Sequence, residues 1–398
     1  MYREVIVIGG GPSGLITARE LALRDIDVVV FEEHDEIGVP PHCAGLVSTN
    51  CLKELKVPET SSIVLNKVYG IKLVLPSGDA IMFKTKRPLG IVLDRVKFDQ
   101  EIAKQALQAG SEVLKGHRVL GISVRKNYVK AIVMDRNNKE EKVVKAKYVV
   151  CAEGLLRSIT KSVIRISKEA LLGVQEEYEI EGITDEEKNH VCVFLGSRFS
   201  RGLFGWLIPT GTGVRIGLAT RGDPNRRMSS LKRTDTIRKL LRKGKLLRRM
   251  GGLVNTQGVL ERFSDVSDKV FLVGDSAGQN KPLTGGGIYY GGIGAIILAE
   301  EIAKGDNIGI NYKKRWNKLF GKEIKYMLIA RRILDELNDH EVDILFKTLF
   351  AKEEYLDELS EYYDFHYNLA SRILSRRLFK IIELIIKINP LRLVKLLI

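Results

Sequence analysis

The sequence predicts an α/β protein: one largely parallel sheet, interleaved with a second antiparallel sheet and followed by a helical region. Three observations predict it. An apolar run, Val5 to Ile8, leads straight into glycines and then into helical spacing from Leu15 to Leu23. A second apolar run, Val270 to Val273, again ends at a glycine and an acid before a long helical stretch. Between them, residues 63–93 alternate apolar and polar positions, as half-buried strands do, and 173–219 are largely β in pattern.

The first strand and turn organise the rest. Gly9, Gly11 and Gly14 form a G-x-G-x-x-G run between a strand and a helix. The first glycine permits the sharp turn, the second leaves room for a pyrophosphate, and the third lets helix and strand pack closely. Free N–H groups at the helix start hold the phosphates. A second strand, Asp27 to Phe31, ends at Glu32, 18 residues after Gly14, where a carboxylate can accept hydrogen bonds from a ribose. This pattern points to a bound dinucleotide.

Composition sets the limits. A hydrophobic share of 44% with 28% charged residues fits a folded globular chain rather than a disordered one. No uncharged apolar run reaches the ~18 residues of a membrane-spanning helix. The first strand starts at the N-terminus, so no signal peptide is expected. Cys43, Cys51, Cys151 and Cys192 lack metal-binding or disulfide spacing. The net charge of +15 favours an anionic partner.

Taken in order, residues 38–48 form a Pro- and Gly-rich loop that leaves the ribose-binding strand, and Cys43 in it is a candidate for contact with cofactor or substrate. Residues 63–93 form a hairpin with a turn at Pro76-Ser77-Gly78-Asp79. Asp94 caps a helix running to Gly110, and Arg95 at its start is unfavourable for the dipole unless it faces an anion or solvent. Strands follow to Cys151, then the small-residue turn Ala152 to Ser158. Phe204 and Trp206 lie two apart on a strand and share a face, either as core or as an apolar ligand wall. Residues 225–250 carry eleven Lys and Arg but no aromatic residue. That reads as a solvated helix face or an anion-facing surface rather than a nucleic-acid site. The chain is expected to be helical from Gly305 to its end. The final basic, apolar helix, with Arg372, Arg376, Arg377, Lys380, Lys387, Arg392 and Lys395, suits a membrane interface or a docking face.

Four landmarks together resemble the flavoprotein group that includes para-hydroxybenzoate hydroxylase: Gly9 to Gly14 with Glu32, Arg95 with Phe98-Asp99, the Cys151 to Ser158 turn, and Gly274-Asp275 with Gly285 to Ile288. Glu153 stands where the group has aspartate. Within the group the sequence is most similar to the archaeal geranylgeranyl reductases. That family carries a cysteine in the loop after the second strand, matched by Cys43. It also carries Y-x-W-x-F-P followed by G-x-G, matched by Phe204 to Pro209 and, seven residues on, Gly217-Leu218-Ala219. Phe204, Ile208 and Ala219 replace the family's Tyr, Phe and last Gly.

The resemblance implies a Rossmann-type FAD-binding domain (1–62, 94–170 and 265–305), an antiparallel substrate domain (63–93 and 171–264) and a helical region (306–398). It implies FAD contacts from Gly9, Gly11, Ser13, Gly14, Glu32, Cys43, Ala44, Arg95, Asp275, Gly287 and Ile288, and a prenyl tunnel lined by Phe204, Trp206 and Pro209. The implied reaction saturates double bonds of geranylgeranyl lipids or geranylgeranyl diphosphate, as in archaeal membrane lipids. The proton donor is open between Cys43 and water. No second strand–G-x-G-x-x-G unit is present, so electrons are expected from an external donor, a ferredoxin or a small reductant. The expected location is cytoplasmic, peripheral on the inner face of the cell membrane, with no nucleic-acid partner. The alternatives are an FAD-dependent aromatic monooxygenase and a non-catalytic, lipid-binding flavoprotein.

Overall fold

A computed structural model describes residues 2–164, 166, 170–375 and 377. Its first sheet has seven strands. Tyr2–Ile8 lies between Val28–Phe31 and Glu141–Cys151, parallel to both. Glu112–Leu114 flanks Val28–Phe31, also in parallel. The late strand Val270–Leu272 joins the C-terminal end of Glu141–Cys151, while Val129–Asp135 and His117–Val124 continue antiparallel from its other end. Val5 to Ile8 and Val28 to Phe31 are buried at every position. A strand covered on both faces loses its alternation, hence the unbroken apolar runs. Helices Pro12–Ala22, Arg95–Gln108 and Ile288–Lys304 pack together beside it.

The second sheet has eight strands in the order Gly244–Val254, Leu171–Ile180, Gly213–Thr220, Gly205–Pro209, His190–Phe194, Gly70–Val74, Ala80–Lys84, Glu353–Tyr355. It is antiparallel except at two joints, His190–Phe194 with Gly70–Val74 and Glu353–Tyr355 with Ala80–Lys84. Of the expected hairpin 63–93, only Gly70–Val74 and Ala80–Lys84 belong to this sheet. Its flanks, Val64–Val68 and Gly90–Leu93, form a separate three-stranded sheet with Leu46–Val47.

Two expectations fail here. The basic stretch 225–250 is not one helical face. It is two helices, Pro224–Lys232 and Asp235–Leu241, followed by the edge strand Gly244–Val254. The paired leucines at 240–241 and 246–247 imitate helical spacing, but Gly244 interrupts the run. Arg248 and Arg249 then find Glu177 and Glu176 across the sheet. Nor is the chain helical throughout after Gly305. Ile308–Glu336 and Asp339–Leu349 are helices, yet Glu353–Tyr355 is a strand recruited by an open sheet edge.

Among the described residues no helix is long and apolar enough to cross a membrane. Most of the basic C-terminal helix (Arg376, Lys380, Lys387, Arg392 and Lys395) lies outside the described residues. Arg372 is in the helix His366–Ser375, and Arg377 pairs with Glu354.

Candidate active site

The N-terminal turn is built as its glycines require. Gly9 has φ +105°, and a Cβ there would stand 2.5 Å from the Ala152 carbonyl oxygen. A Cβ on Gly14 would stand 2.1 Å from the Gly9 oxygen, so helix and strand touch backbone to backbone. Gly11 differs. A Cβ there meets nothing within 4 Å, and Pro12 opens the helix directly after it. That open space, under the free N–H groups of a helix start, fits a pyrophosphate. Glu32 follows its strand and turns back to the loop. Its carboxylate accepts from the Gly10 N–H at 2.6 Å and from the His34 N–H at 2.9 Å. The His34 ring Nδ1 also lies 2.6 Å from Oε1, so Oε2 is the oxygen that retains acceptor capacity for a ribose hydroxyl.

Ser13 wedges the turn against the late part of the chain. A Cβ on Gly274 would lie 2.5 Å from its Oγ, and one on Gly291 would lie 2.6 Å from it. Asp275 sits in the short 3-10 turn Gly274–Ser276, and its carboxyl is raised by burial against the pull of Arg157 and Arg95. Arg157 donates to the Ser276 carbonyl at 3.1 Å and to the Asp275 carbonyl at 2.8 Å, tying the 152–158 turn to the 274–276 turn. Gly287 caps the helix that begins at Ile288, and a Cβ on it would be 3.0 Å from an Asp275 oxygen. Glu153 faces the other way. It accepts from the Ile159 N–H at 2.8 Å and the Thr160 N–H at 2.6 Å, capping a short helix.

Arg95 is not a solvated arginine. It is 13% exposed and forms a forked pair with Asp99 at 3.0 Å. Burial opposes the charge on Arg95, but the Asp99 carboxylate holds the guanidinium above its ordinary value. Burial raises the Asp99 carboxyl in turn. Asp94 provides the expected cap, accepting from the Val96 and Lys97 N–H groups. Cys43 is half-buried beside Arg95 and accepts from the Gly45 N–H at 3.4 Å. The Ala44 carbonyl receives a 2.9 Å bond from Arg215, which is itself paired with Glu177. Cys51, Cys151 and Cys192 are pushed up by burial.

Phe204 and Trp206 meet edge to face, 6.4 Å between ring centres, and share a cluster with Leu171, Leu203, Ala219 and Val254. The Trp206 indole donates to Gln175 at 2.8 Å and lies flat over Gly217. Val254 reaches the Gly285 loop, so this wall adjoins the glycines ahead of the Ile288 helix. Pro209 does not share the wall. Alternation along Gly205–Pro209 puts it with Leu207, on the face opposite Trp206 and Ile208.

Sequence reasoning missed one cluster. Lys281, at the base of the glycine loop, contacts Asp364 at 3.1 Å and the Tyr363 carbonyl at 3.2 Å, with its ammonium 4.3 Å above the Tyr363 ring. No local signal links residues so far apart in the chain.

An FAD binding domain family model matches residues 2–304. A digeranylgeranylglycerophospholipid reductase of Methanothermobacter thermautotrophicus is 30% identical over 363 residues, covering 89% of this chain and 93% of that protein. The chain belongs to the digeranylgeranylglycerophospholipid reductase family. The reductase of Methanocaldococcus jannaschii that bears the same name is 27% identical, covering 87% of this chain and 90% of its own. Of solved folds, a geranylgeranyl bacteriochlorophyll reductase-like protein from Thermoplasma acidophilum superimposes with a TM-score of 0.83, at 24% identity, over 98% of this chain and 99% of that one. The reductase family's cofactor, FAD, suits the turn, whose one open glycine, Gly11, stands where phosphate would lie.

Proposed function

We propose that this chain saturates C=C bonds in the geranylgeranyl chains of archaeal membrane lipids, as an FAD-dependent reductase. The observation that carries the reading is the aromatic wall, Phe204 and Trp206, set against the glycine loop 285–287 through Val254. That places an apolar surface beside the cofactor cradle, as a prenyl chain requires. When bound, FAD supplies the hydride.

The chain's own residues bind, orient and exclude water. Gly9, Gly11, Ser13 and Gly14 hold the pyrophosphate, and Glu32 accepts the ribose hydroxyls. Ala44, Arg95, Asp275, Gly287 and Ile288 frame the ring end. Phe204 and Trp206 present ring faces that stabilise positive charge at the more substituted alkene carbon. The proton goes to the other alkene carbon, from Cys43 Sγ beside Arg95 or from a water. Electrons come from an external donor, a ferredoxin or small reductant. The protein works on the cytoplasmic side, resting on the membrane that contains its substrate.

Mass spectrometry of geranylgeranyl lipids incubated with chemically reduced enzyme tests the reaction. Two-hydrogen increments are expected, and unchanged lipid with fully reduced protein would overturn it. Cys43→Ser should retain FAD and slow single-turnover reduction; an unchanged rate removes Cys43 from the proton path.

A further inference from the structure

From Thr236 to Leu260 the chain contains seven Lys and Arg and no Asp or Glu. The structure gathers most of them at one place. The helix Asp235–Leu241 runs directly into the edge strand Gly244–Val254, so Lys239, Arg242, Lys243 and Lys245 are exposed together, flanked by Arg238 and Arg249, which pair with Asp235 and Glu176. A register shift opposite Glu177 and Tyr178 leaves Leu247 without a cross-strand partner. Leu247 is 54% exposed and Leu246 39%. Farther along the same strand, Leu253 and its partner across the sheet, Leu172, are exposed as well.

Cations alone have an ordinary explanation, since charge on an edge strand blocks pairing with other chains. Leucines on that same edge do the opposite. They add apolar surface where protection calls for removing it. An occupant that satisfies both must be anionic and apolar at once. Nucleic acid meets only the first condition, and residues 225–250 offer no aromatic ring for base stacking. A bilayer with acidic headgroups meets both, with cations at the headgroups and leucines among the upper acyl carbons.

The strand also leads somewhere. Its far end, Val254, packs with Leu203, Phe204 and Trp206 and touches the Gly285 loop. We infer that the surface formed by residues 238–253 docks on an anionic lipid membrane and presents the aromatic wall to chains drawn from it. The docking surface deepens the reductase reading, and it names this edge rather than the C-terminal segment as the principal contact.

The test uses the full-length, FAD-loaded protein. Co-sedimentation is measured with vesicles of phosphatidylcholine alone and of phosphatidylcholine with phosphatidylglycerol, at low and high salt. Binding is expected only to the anionic vesicles. The variant K239E/R242E/K243E/K245E should weaken it by more than about tenfold. L246S/L247S should keep recruitment at low salt and lose the part that survives high salt. Both variants should retain the flavin spectrum of the parent. Wild-type binding by the charge-reversed variant would overturn the inference and move the contact elsewhere, for example to the C-terminal segment. Retention on DNA without vesicle binding would overturn it in favour of a nucleic-acid surface. Reduction of geranylgeranyl lipid in detergent micelles is assayed in parallel. Its failure in the parent protein counts against the reductase reading and leaves the vesicle result standing.

Discussion

Replacing Lys281 with methionine tests whether the C-terminal segment is fastened to the cofactor loop. The side chains of Lys281 and Asp364 are only 6% and 7% exposed, and their charges are 3.1 Å apart. Tyr290 donates to the Asp364 carbonyl at 2.7 Å, so the segment is gripped from two sides. Lys281→Met preserves length but strands a buried carboxylate, which typically costs about 3–5 kcal/mol. The double variant Lys281→Met/Asp364→Leu removes both charges and should regain most of that loss, because a well-packed apolar pair often matches a buried ion pair. Urea unfolding followed by flavin and tryptophan fluorescence reads both. A single-variant loss below about 1 kcal/mol, the range of an exposed pair, would refute the reasoning.

Other outcomes follow from the same geometry. Gly11→Ala should leave the apoprotein as stable as the parent, because its methyl group meets no atom of the chain, yet weaken FAD binding at least tenfold; Gly14→Ala should lower both, as titration and thermal unfolding will show. Burial, then the Lys281 ammonium, lowers His366 from 6.5 to about 3. The unfolded chain therefore binds a proton that the folded chain refuses between those values, so stability is full above pH 6.5 and falls as pH drops through the window. His366→Gln should flatten that slope in unfolding measured from pH 7 to 5. Trp206→Phe leaves the Gln175 oxygen without its 2.8 Å donor and should cost about 1–3 kcal/mol in thermal unfolding.

The parts of the site legible in the sequence are those whose chemistry is local. Gly9, Gly11 and Gly14 announce the turn because each answers a backbone demand within a few residues. Glu32 is readable because one strand's length sets its distance. Asp94 and the hairpin 70–84 are readable for the same reason. What escaped depends on partners far along the chain. The buried pair of Lys281 with Asp364 is one such case. Pro209 belongs to the motif by sequence, but strand alternation separates it from Trp206. Residues 353–355 carry no β-forming run, and the open edge at Ala80–Lys84 makes them a strand. The 244–254 edge was hidden because leucine doublets satisfy helical and extended spacing alike.

The strand Val270–Leu272 closes the first sheet only by pairing with Val149–Cys151, and Ser13 rests on glycines from beyond residue 270. During synthesis, the amino-terminal turn therefore waits, half built, while most of the polypeptide leaves the ribosome. A truncated product ending before that strand is therefore expected to emerge without its colour.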